Sequence, residues 1–469
     1  MKIAFERPRF FRFKDRVFTP ELKALERVTS RGVYSILNVL VSSEDKTSKV
    51  KKRDFIKSLG YAAFAAPMMA SGMEPLTRRR TEAYPHGRGE DYWERIRKDY
   101  TLKPDYINLE NGYYNIIPNP TMEAFISHVK AVNYEGAYYM RTEQWENKKR
   151  ITGRLADMLN TTDENLIITR NTTESLDLII GGYPWEEGDQ AVYALQDYGA
   201  MREHFKLISQ RYGVVCREVS VPNHPESDEE LVALYEAQIN PKTRMIMICH
   251  MVNITGQILP VKKICDMAHR YGVEVLVDGA HCIGHIPVDL PALGCDYYGS
   301  SLHKWLSTPL GAGLLYVRSE HIDKIWPLLA EHHREPGDIG RLNHTGTHPV
   351  HTDLAIADAM DYLEGIGLEE KTKRLRYLQR YWSDRLRGVE NVVISTPEAE
   401  ARSCAIANAG ISHMTPADLA KQLLAEFRIF TVAIDYANVH GCRITPNVYT
   451  TTAELDRFVD AMTVLAGRT

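Results

Sequence analysis

The sequence lacks the long apolar runs, paired cysteines and strong net charge that would each mark a particular class of protein. No stretch reaches the roughly 20 consecutive apolar residues of a membrane-spanning helix. The seven cysteines are odd in number and scattered, and no C-x-x-C pair indicates a zinc or dithiol site. A formal charge of -4 over 469 residues gives no sign of a nucleic-acid partner. A globular chain of more than one domain, without a stable membrane span, is therefore expected.

The strongest charge asymmetry lies at the N-terminus. Residues 1–57 hold fifteen Lys and Arg against seven Asp and Glu. Residues 51–72 run from a basic cluster through a short Ala-rich apolar segment to small residues, as export signals do. Residues 52–57 (KRDFIK) resemble a twin-arginine signal, with Lys52 where the first arginine normally stands. We expect a periplasmic or exported protein; the alternatives are an amphipathic helix here and a cytoplasmic location.

The body of the chain has the pattern of an α/β protein. From Leu166 to Arg318, apolar runs such as LIITR and RMIMICH alternate with helical patterns such as VKKICDMAHRYG. This alternation predicts a mostly parallel sheet covered on both faces. A helical stretch over 353–390, short strands and a terminal helix capped by Thr451 and Glu454 predict a smaller α+β domain. The predicted divisions are an extension (1–75), a large domain (76–346) and a small C-terminal domain (347–469).

Polar and aromatic side chains follow several predicted strands, where ligands bind in parallel sheets. Asp278 ends one strand in VDGAH, and Lys304 follows another in GSSLHKW. The small and aromatic neighbours of Lys304 predict desolvation, which lowers a lysine pKa and favours the free amine. Asn253 in HMVNITG closes a third strand, and Tyr198 follows a fourth that ends near Gln196.

A helix start supplies a candidate anion site. Residues 169–174 (TRNTTE) join a strand to a helix, with Asn171 and Glu174 in capping positions. The N-terminus of a helix offers free N–H groups and a positive dipole end to an anion. Thr172 and Thr173 add hydroxyl donors.

Together these groups match what pyridoxal 5'-phosphate (PLP) requires: a lysine for an imine, an acid, a flat aromatic ring and a phosphate cradle. We interpret Lys304 as the residue that holds PLP as a Schiff base. Asp278 would keep the pyridine nitrogen protonated, Tyr198 would stack on the ring, and Asn253 would donate to the phenolic oxygen. Taken singly, these residues are more typical of a cap, a turn or packing than of a cofactor site, and a lone lysine is usually a solvated surface charge.

A metal site is not expected. His281 and His285 have H-x3-H spacing, but Gly284 and the strand-end context disfavour a helical zinc pair.

In order and spacing, these segments resemble the class V aminotransferases of fold type I, the group that includes cysteine desulfurases and isopenicillin N epimerase. The resemblance covers roughly residues 100–465 and is most specific in DGAH followed by SLHKW. It implies a homodimer with shared active sites and an amino-acid substrate.

The resemblance also implies roles for further residues. His281 would lie near the phenolic oxygen of PLP and His303 near its phosphate. Arg443 would bind the substrate α-carboxylate, a task that suits a bidentate guanidinium. Asn111 and Tyr113 would line the substrate entrance, and Thr347, after Gly346, would reach the phosphate of the neighbouring subunit.

The reaction type stays open at this point, because Lys304 as a base serves racemisation, transamination and β-elimination alike. Desulfuration requires a loop cysteine before Arg443, and the candidate there, Cys442, would face the other way on a strand. Cys404, in RSCAIAN, is a distant second candidate. We therefore expect an isopenicillin N epimerase-like enzyme, with C–S lyase or aminotransferase as alternatives and desulfurase behind them. A non-catalytic PLP sensor ranks last, because the basic arm carries no helix-turn-helix pattern.

Overall fold

The described part of the chain begins with helices that precede the main sheet. The computed structural model describes residues 89–329 and 334–468, so the predicted extension and export signal of residues 1–75 lie outside the described residues. None of the helices within those two ranges is long and apolar enough to cross a membrane. The first elements are α1 (Glu90–Arg97), β1 (Ile107–Asn108), α2 (Asn119–Glu135), α3 (Ala137–Thr142), α4 (Gln144–Met158) and a 3-10 turn (Asp163–Asn165).

A seven-stranded sheet follows, and its strands alternate along the chain with helices. The strand order is β2-β8-β7-β6-β5-β3-β4, and all neighbours are parallel except the two pairs that involve β8. The predicted α/β fold with a mostly parallel sheet is therefore confirmed. The elements are β2 (Leu166–Thr169), α5 (Thr172–Gly182), β3 (Gln190–Ala194), α6 (Gly199–Tyr212), β4 (Val215–Val219), α7 (Asp228–Glu236), β5 (Thr243–Cys249), α8 (Val261–Arg270), β6 (Glu274–Asp278), α9 (Leu290–Leu293), β7 (Tyr297–Ser301), β8 (Gly313–Val317) and two 3-10 helices (Ser319–Lys324 and Ile339–Leu342).

Both faces of this sheet are buried, which explains the nearly continuous apolar runs of its central strands. In β5, Ile246 and Ile248 enter one hydrophobic core, whereas Met245 and Met247 enter the core on the opposite face. Alternate residues of a strand point to opposite faces, so a strand covered on both sides needs apolar residues at every position.

The C-terminal elements build a second, antiparallel sheet with the order β12-β13-β10-β9. It has its own core, in which Trp382 and Phe458 meet edge to face. The pair β1–β11 is parallel and ties the first strand of the chain to this region. The predicted division at residues 346 and 347 remains a prediction. The elements are α10 (Val350–Ile366), α11 (Leu368–Leu386), β9 (Val392–Ile394), a 3-10 helix (Glu400–Arg402), β10 (Ala407–Ile411), α12 (Pro416–Phe427), β11 (Ile429–Phe430), β12 (Val432–Tyr436), β13 (Val439–Ile444) and α13 (Thr452–Ala466).

The single helical stretch predicted over residues 353–390 is wrong, because the structure has two helices there. Gly367 separates α10 from α11 with a φ of 87°, a conformation that glycine adopts far more easily than other residues. The periodic apolar pattern continues across the break and conceals it.

Both helix starts predicted from capping residues are confirmed. The Asn171 side chain accepts from the Glu174 backbone N–H at the start of α5. At the start of α13, Thr451 and Glu454 form a complete capping box, in which each side chain accepts from the other residue's backbone N–H.

Thr451→Ala tests this cap. The substitution removes the oxygen that accepts from the Glu454 N–H, and we expect the free energy of unfolding to fall by about 1 kcal/mol. Urea denaturation of the purified protein measures the change. Thr452→Ala, one residue inside the helix, is the matched control. Equal effects of the two substitutions would contradict the role of the cap.

Candidate active site

The strands that lead into the candidate site all end at one edge of the main sheet. Neighbouring β5, β6 and β7 are parallel, and the register pairs Cys249 with Asp278 and Asp278 with Gly299. Asp278 is therefore flanked on both sides by strand ends. Lys304 lies three residues beyond the end of β7. The carboxyl edge of a parallel sheet is where ligands bind in such folds.

Lys304 is held against His281 in a mostly desolvated position. Its Nζ lies 3.1 Å from His281 Nε2. Desolvation lowers the pKa of Lys304 to about 8, and the nearby Asp278 carboxylate opposes this shift because it favours the ammonium form. The free amine is therefore accessible near neutral pH, as a Schiff-base lysine requires.

The tautomer of His281 is set by Trp305. The Trp305 indole Nε1–H donates to His281 Nδ1 at 3.3 Å. An indole nitrogen can only donate, so Nδ1 carries no proton and a neutral His281 has its proton on Nε2. Burial lowers the pKa of His281, which keeps the ring neutral. The Nε2–H then faces the lone pair of the Lys304 amine.

Trp305 is itself fixed from behind by packing and hydrogen bonds. Its ring is fully buried and stacks on His285 at a centroid distance of 3.8 Å. His285 uses both ring nitrogens within the protein: Nδ1 bonds the His281 carbonyl and Nε2 accepts from the Ala405 N–H. The H-x3-H pair is thus part of a packed scaffold. Within the described ranges, no group of three or more His, Cys, Asp or Glu side chains is arranged to hold a metal ion.

Asp278 presents a buried carboxylate at the same edge. Its Oδ1 accepts from the Ala280 backbone N–H at 3.0 Å. Burial raises the pKa of Asp278, while this hydrogen bond and the charge of Lys304 act in the opposite direction. A buried acid in this position suits a protonated ring nitrogen, since a charge that leaves water needs an opposite partner.

The anion site predicted at the start of α5 gains a residue that sequence reasoning missed. Ser301 Oγ, at the end of β7, accepts from the Thr172 backbone N–H at 2.9 Å and lies 2.7 Å from Thr172 Oγ1. Thr173 is partly buried beside it. In the part of the chain that the structure describes, His303 Nδ1 is buried without a hydrogen-bond partner. A phosphate at this helix start fits these donors.

Tyr198 and Asn253 follow β3 and β5, which are neighbours in the main sheet. Tyr198 is the N-cap residue of α6 and 46% of its side chain is exposed, so its ring is free to cover a ligand. Its position is fixed by a turn in which the Ala194 N–H donates to Asp197 at 2.7 Å. Asn253 is partly buried, and its backbone carbonyl accepts from Arg443.

Arg443 reaches the site from β13 of the second sheet and is paired with Glu110, which sequence reasoning also missed. Arg443 Nε lies 3.1 Å from Glu110 Oε2, and Nη2 lies 2.6 Å from Oε1. Arg443 Nη1 donates to the Asn253 carbonyl at 3.2 Å. Both side chains are buried. The only signal in the sequence was that a carboxylate stands next to Asn111 in LENGYY.

The three remaining predicted residues differ in their exposure. Asn111 is fully buried, and its amide bonds the Thr445 carbonyl and the Tyr449 hydroxyl, so its side chain supports the segment from within. Tyr113 is 76% exposed. Thr347 is exposed in the loop before α10. Its predicted contact with a neighbouring subunit remains a prediction.

The chain matches one family profile and is similar to several known proteins. The profile of the family "Aminotransferase class-V" matches residues 120–458. Isopenicillin N epimerase of Streptomyces clavuligerus is 26% identical, and the match covers 80% of this chain and 98% of that protein. Isopenicillin N epimerase of Amycolatopsis lactamdurans is 28% identical with the same coverage.

A solved structure shares the fold. The apo structure of cysteine desulfurase from Thermococcus onnurineus NA1 superimposes with a TM-score of 0.71 at 20% identity, over 80% of this chain and 98% of that one. The likeness shows the fold type I architecture that the sequence predicted.

Trp305→Phe tests the tautomer argument. Without the indole N–H, His281 can carry its proton on Nδ1 and offer the Nε2 lone pair to the Lys304 ammonium, which stabilises the charged form. We expect the pKa of Lys304 to rise from about 8. The rate at which the apoprotein takes up PLP, measured against pH, should then have a higher midpoint. Trp326→Phe, at an exposed tryptophan, is the control. An unchanged midpoint in Trp305→Phe would contradict the assignment.

Proposed function

We propose, from the premise that this chain belongs to the class-V aminotransferase family of PLP-dependent enzymes, that it holds PLP on Lys304 and acts at the α-carbon of an amino acid. The reaction we favour is the one suggested by its isopenicillin N epimerase-like relatives. The observation that carries the proposal is the convergence of Lys304, Asp278 and Arg443 at one edge of the main sheet.

The residues present fit the cofactor. Lys304 would hold it covalently, Asp278 would face its pyridine nitrogen, and Tyr198 would lie against its ring. The start of α5 would receive its phosphate through the donors of four residues: Thr172, Thr173, Ser301 and His303. When bound, PLP supplies an electron sink that stabilises negative charge at the α-carbon of the substrate.

The protein contributes the base and the orientation. Lys304, with a pKa of about 8, can take a proton from the α-carbon and return one at neutral pH. Arg443 would bind the α-carboxylate through charge-assisted hydrogen bonds and so fix which bond lies near Lys304. Because His281 Nε2–H points at the amine, His281 stabilises the neutral form of the base.

Three outcomes share this proton removal. Return of a proton to the opposite face of the α-carbon gives the epimerised amino acid, which is the outcome we place first. The two epimerase relatives match over almost their whole length and support this order. A C–S lyase or an aminotransferase would use the same residues and remains the alternative.

Desulfuration ranks lower because of how the cysteines are placed. Cys442 alternates with Arg443 on β13, and its Sγ bonds the Pro416 carbonyl on the far face. Burial raises the pKa of Cys442 to about 11 and that of Cys404 to about 12. A nucleophilic cysteine needs an accessible thiolate, and neither residue provides one.

The proposal predicts a visible absorbance band of lysine-linked PLP that borohydride fixes to the peptide containing Lys304. Lys304→Ala should lose the band and the activity, whereas Lys371→Ala, at another buried lysine, should keep the band. Incubation of the wild-type protein with L-amino acids should yield the D-enantiomer by chiral chromatography. Pyruvate with ammonia would indicate a lyase and a keto acid an aminotransferase. Label on a peptide without Lys304 would overturn the proposal.

A homodimer is part of the proposal. The region from α2 to α4 exposes three large aromatic side chains, Tyr134, Tyr138 and Trp145, and exposed apolar surface is typical of a protein–protein interface. We expect light scattering to give about twice the chain mass of 53.4 kDa. Trp145→Glu should shift the protein toward the monomer, and Trp326→Glu, at an exposed tryptophan elsewhere, should not. A monomeric wild-type protein would contradict this part.

A further inference from the structure

Three of the five N–H donors of the Arg443 guanidinium already bind protein groups. Its Nε and Nη2 bind the two carboxylate oxygens of Glu110, and Nη1 binds the Asn253 carbonyl. A guanidinium has five N–H donors, so these contacts leave one N–H on Nη1 and one on Nη2. Those two nitrogens form the end of the side chain, and together they can bind one further carboxylate.

Glu110 is held firmly by its own backbone turn. Its Oε1 accepts from the N–H groups of Gly112 and Tyr113 at 3.0 and 2.9 Å. A Cβ on residue 112 would lie 2.9 Å from Arg443 Cζ, so glycine lets the guanidinium lie against the backbone. The turn, the carboxylate and the guanidinium therefore pack as one unit.

The pair also balances charge near the lysine. The Arg443 charge lowers the pKa of Lys304, whereas the Glu110 charge raises it. The two charges therefore largely cancel in their effect on Lys304, while the Arg443 guanidinium still offers hydrogen-bond donors to a ligand.

We propose that Glu110 is the positioning residue of the substrate-carboxylate site: it binds one edge of Arg443 and so directs the free end of the guanidinium at the α-carboxylate. The inference rests on the proposed function, in which Arg443 binds that carboxylate. Without the Glu110 carboxylate, Arg443 Nε and Nη2 would seek other partners and the guanidinium would change its orientation. The site would then lose affinity for the substrate carboxylate and keep its affinity for the substrate amine.

The test compares an amino acid with the amine that lacks only its carboxylate. L-Alanine and ethylamine are titrated into the PLP-loaded enzyme, and the visible spectrum gives each dissociation constant. In Glu110→Gln we expect the constant for L-alanine to rise about tenfold and that for ethylamine to change less than about twofold. In an Arg443→Gln background, Glu110→Gln should have no further effect on L-alanine binding.

Glu90→Gln is the matched control, because Glu90 makes a comparable two-point contact with Arg374 away from the site. It should leave both dissociation constants unchanged. Equal weakening of L-alanine and ethylamine in Glu110→Gln, or no weakening of either, would overturn the role of Glu110 and leave the proposed function standing. A wild-type enzyme that binds ethylamine as tightly as L-alanine would overturn both, since Arg443 would then not recognise a carboxylate.

Discussion

The parallel direction of β5, β6 and β7 is the constraint on which the rest of the candidate site depends. Parallel β5, β6 and β7 end at the same edge, so the residues that follow them meet there although they are separated by tens of residues in the chain. Helix α5 begins at this edge and adds the positive end of its dipole. A lysine placed at such an edge is surrounded by protein on most sides, and its lowered pKa follows from that position.

A second constraint is the packing of His281, Trp305 and His285 next to Lys304. Trp305 bonds His281 on one side and stacks on His285 on the other, so the residue next to Lys304 in sequence determines the protonation of its neighbour in space. Because His285 is tied to Ala405, this layer also reaches the segment that leads into the second sheet. Packing and acid–base chemistry therefore depend on the same few side chains.

The features that could be predicted from the sequence are the ones that depend on local pattern. The alternation of strands and helices, the caps at Asn171 and Thr451, and the strand-end positions of Asp278 and Lys304 are all readable within about ten residues. The break at Gly367 was missed because the apolar period runs through it.

Long-range pairing explains the other omissions. Glu110 and Arg443 are 333 residues apart, and only the folded chain brings them together. Ser301 likewise owes its contact with Thr172 to strands that meet across β8. A carboxylate or hydroxyl has many possible partners in a sequence, whereas a strand or a cap has few.

The small parallel pair β1–β11 has a mechanical consequence. It joins the segment before Glu110 to the second sheet, and the Thr445 N–H adds a bond to the Leu109 carbonyl. Glu110 and Arg443 are therefore held by the same group of backbone bonds, whereas Asn253, which accepts from Arg443, follows β5 of the main sheet. A displacement of the second sheet relative to the main sheet would lengthen the Arg443–Asn253 contact and leave the Arg443–Glu110 ion pair intact.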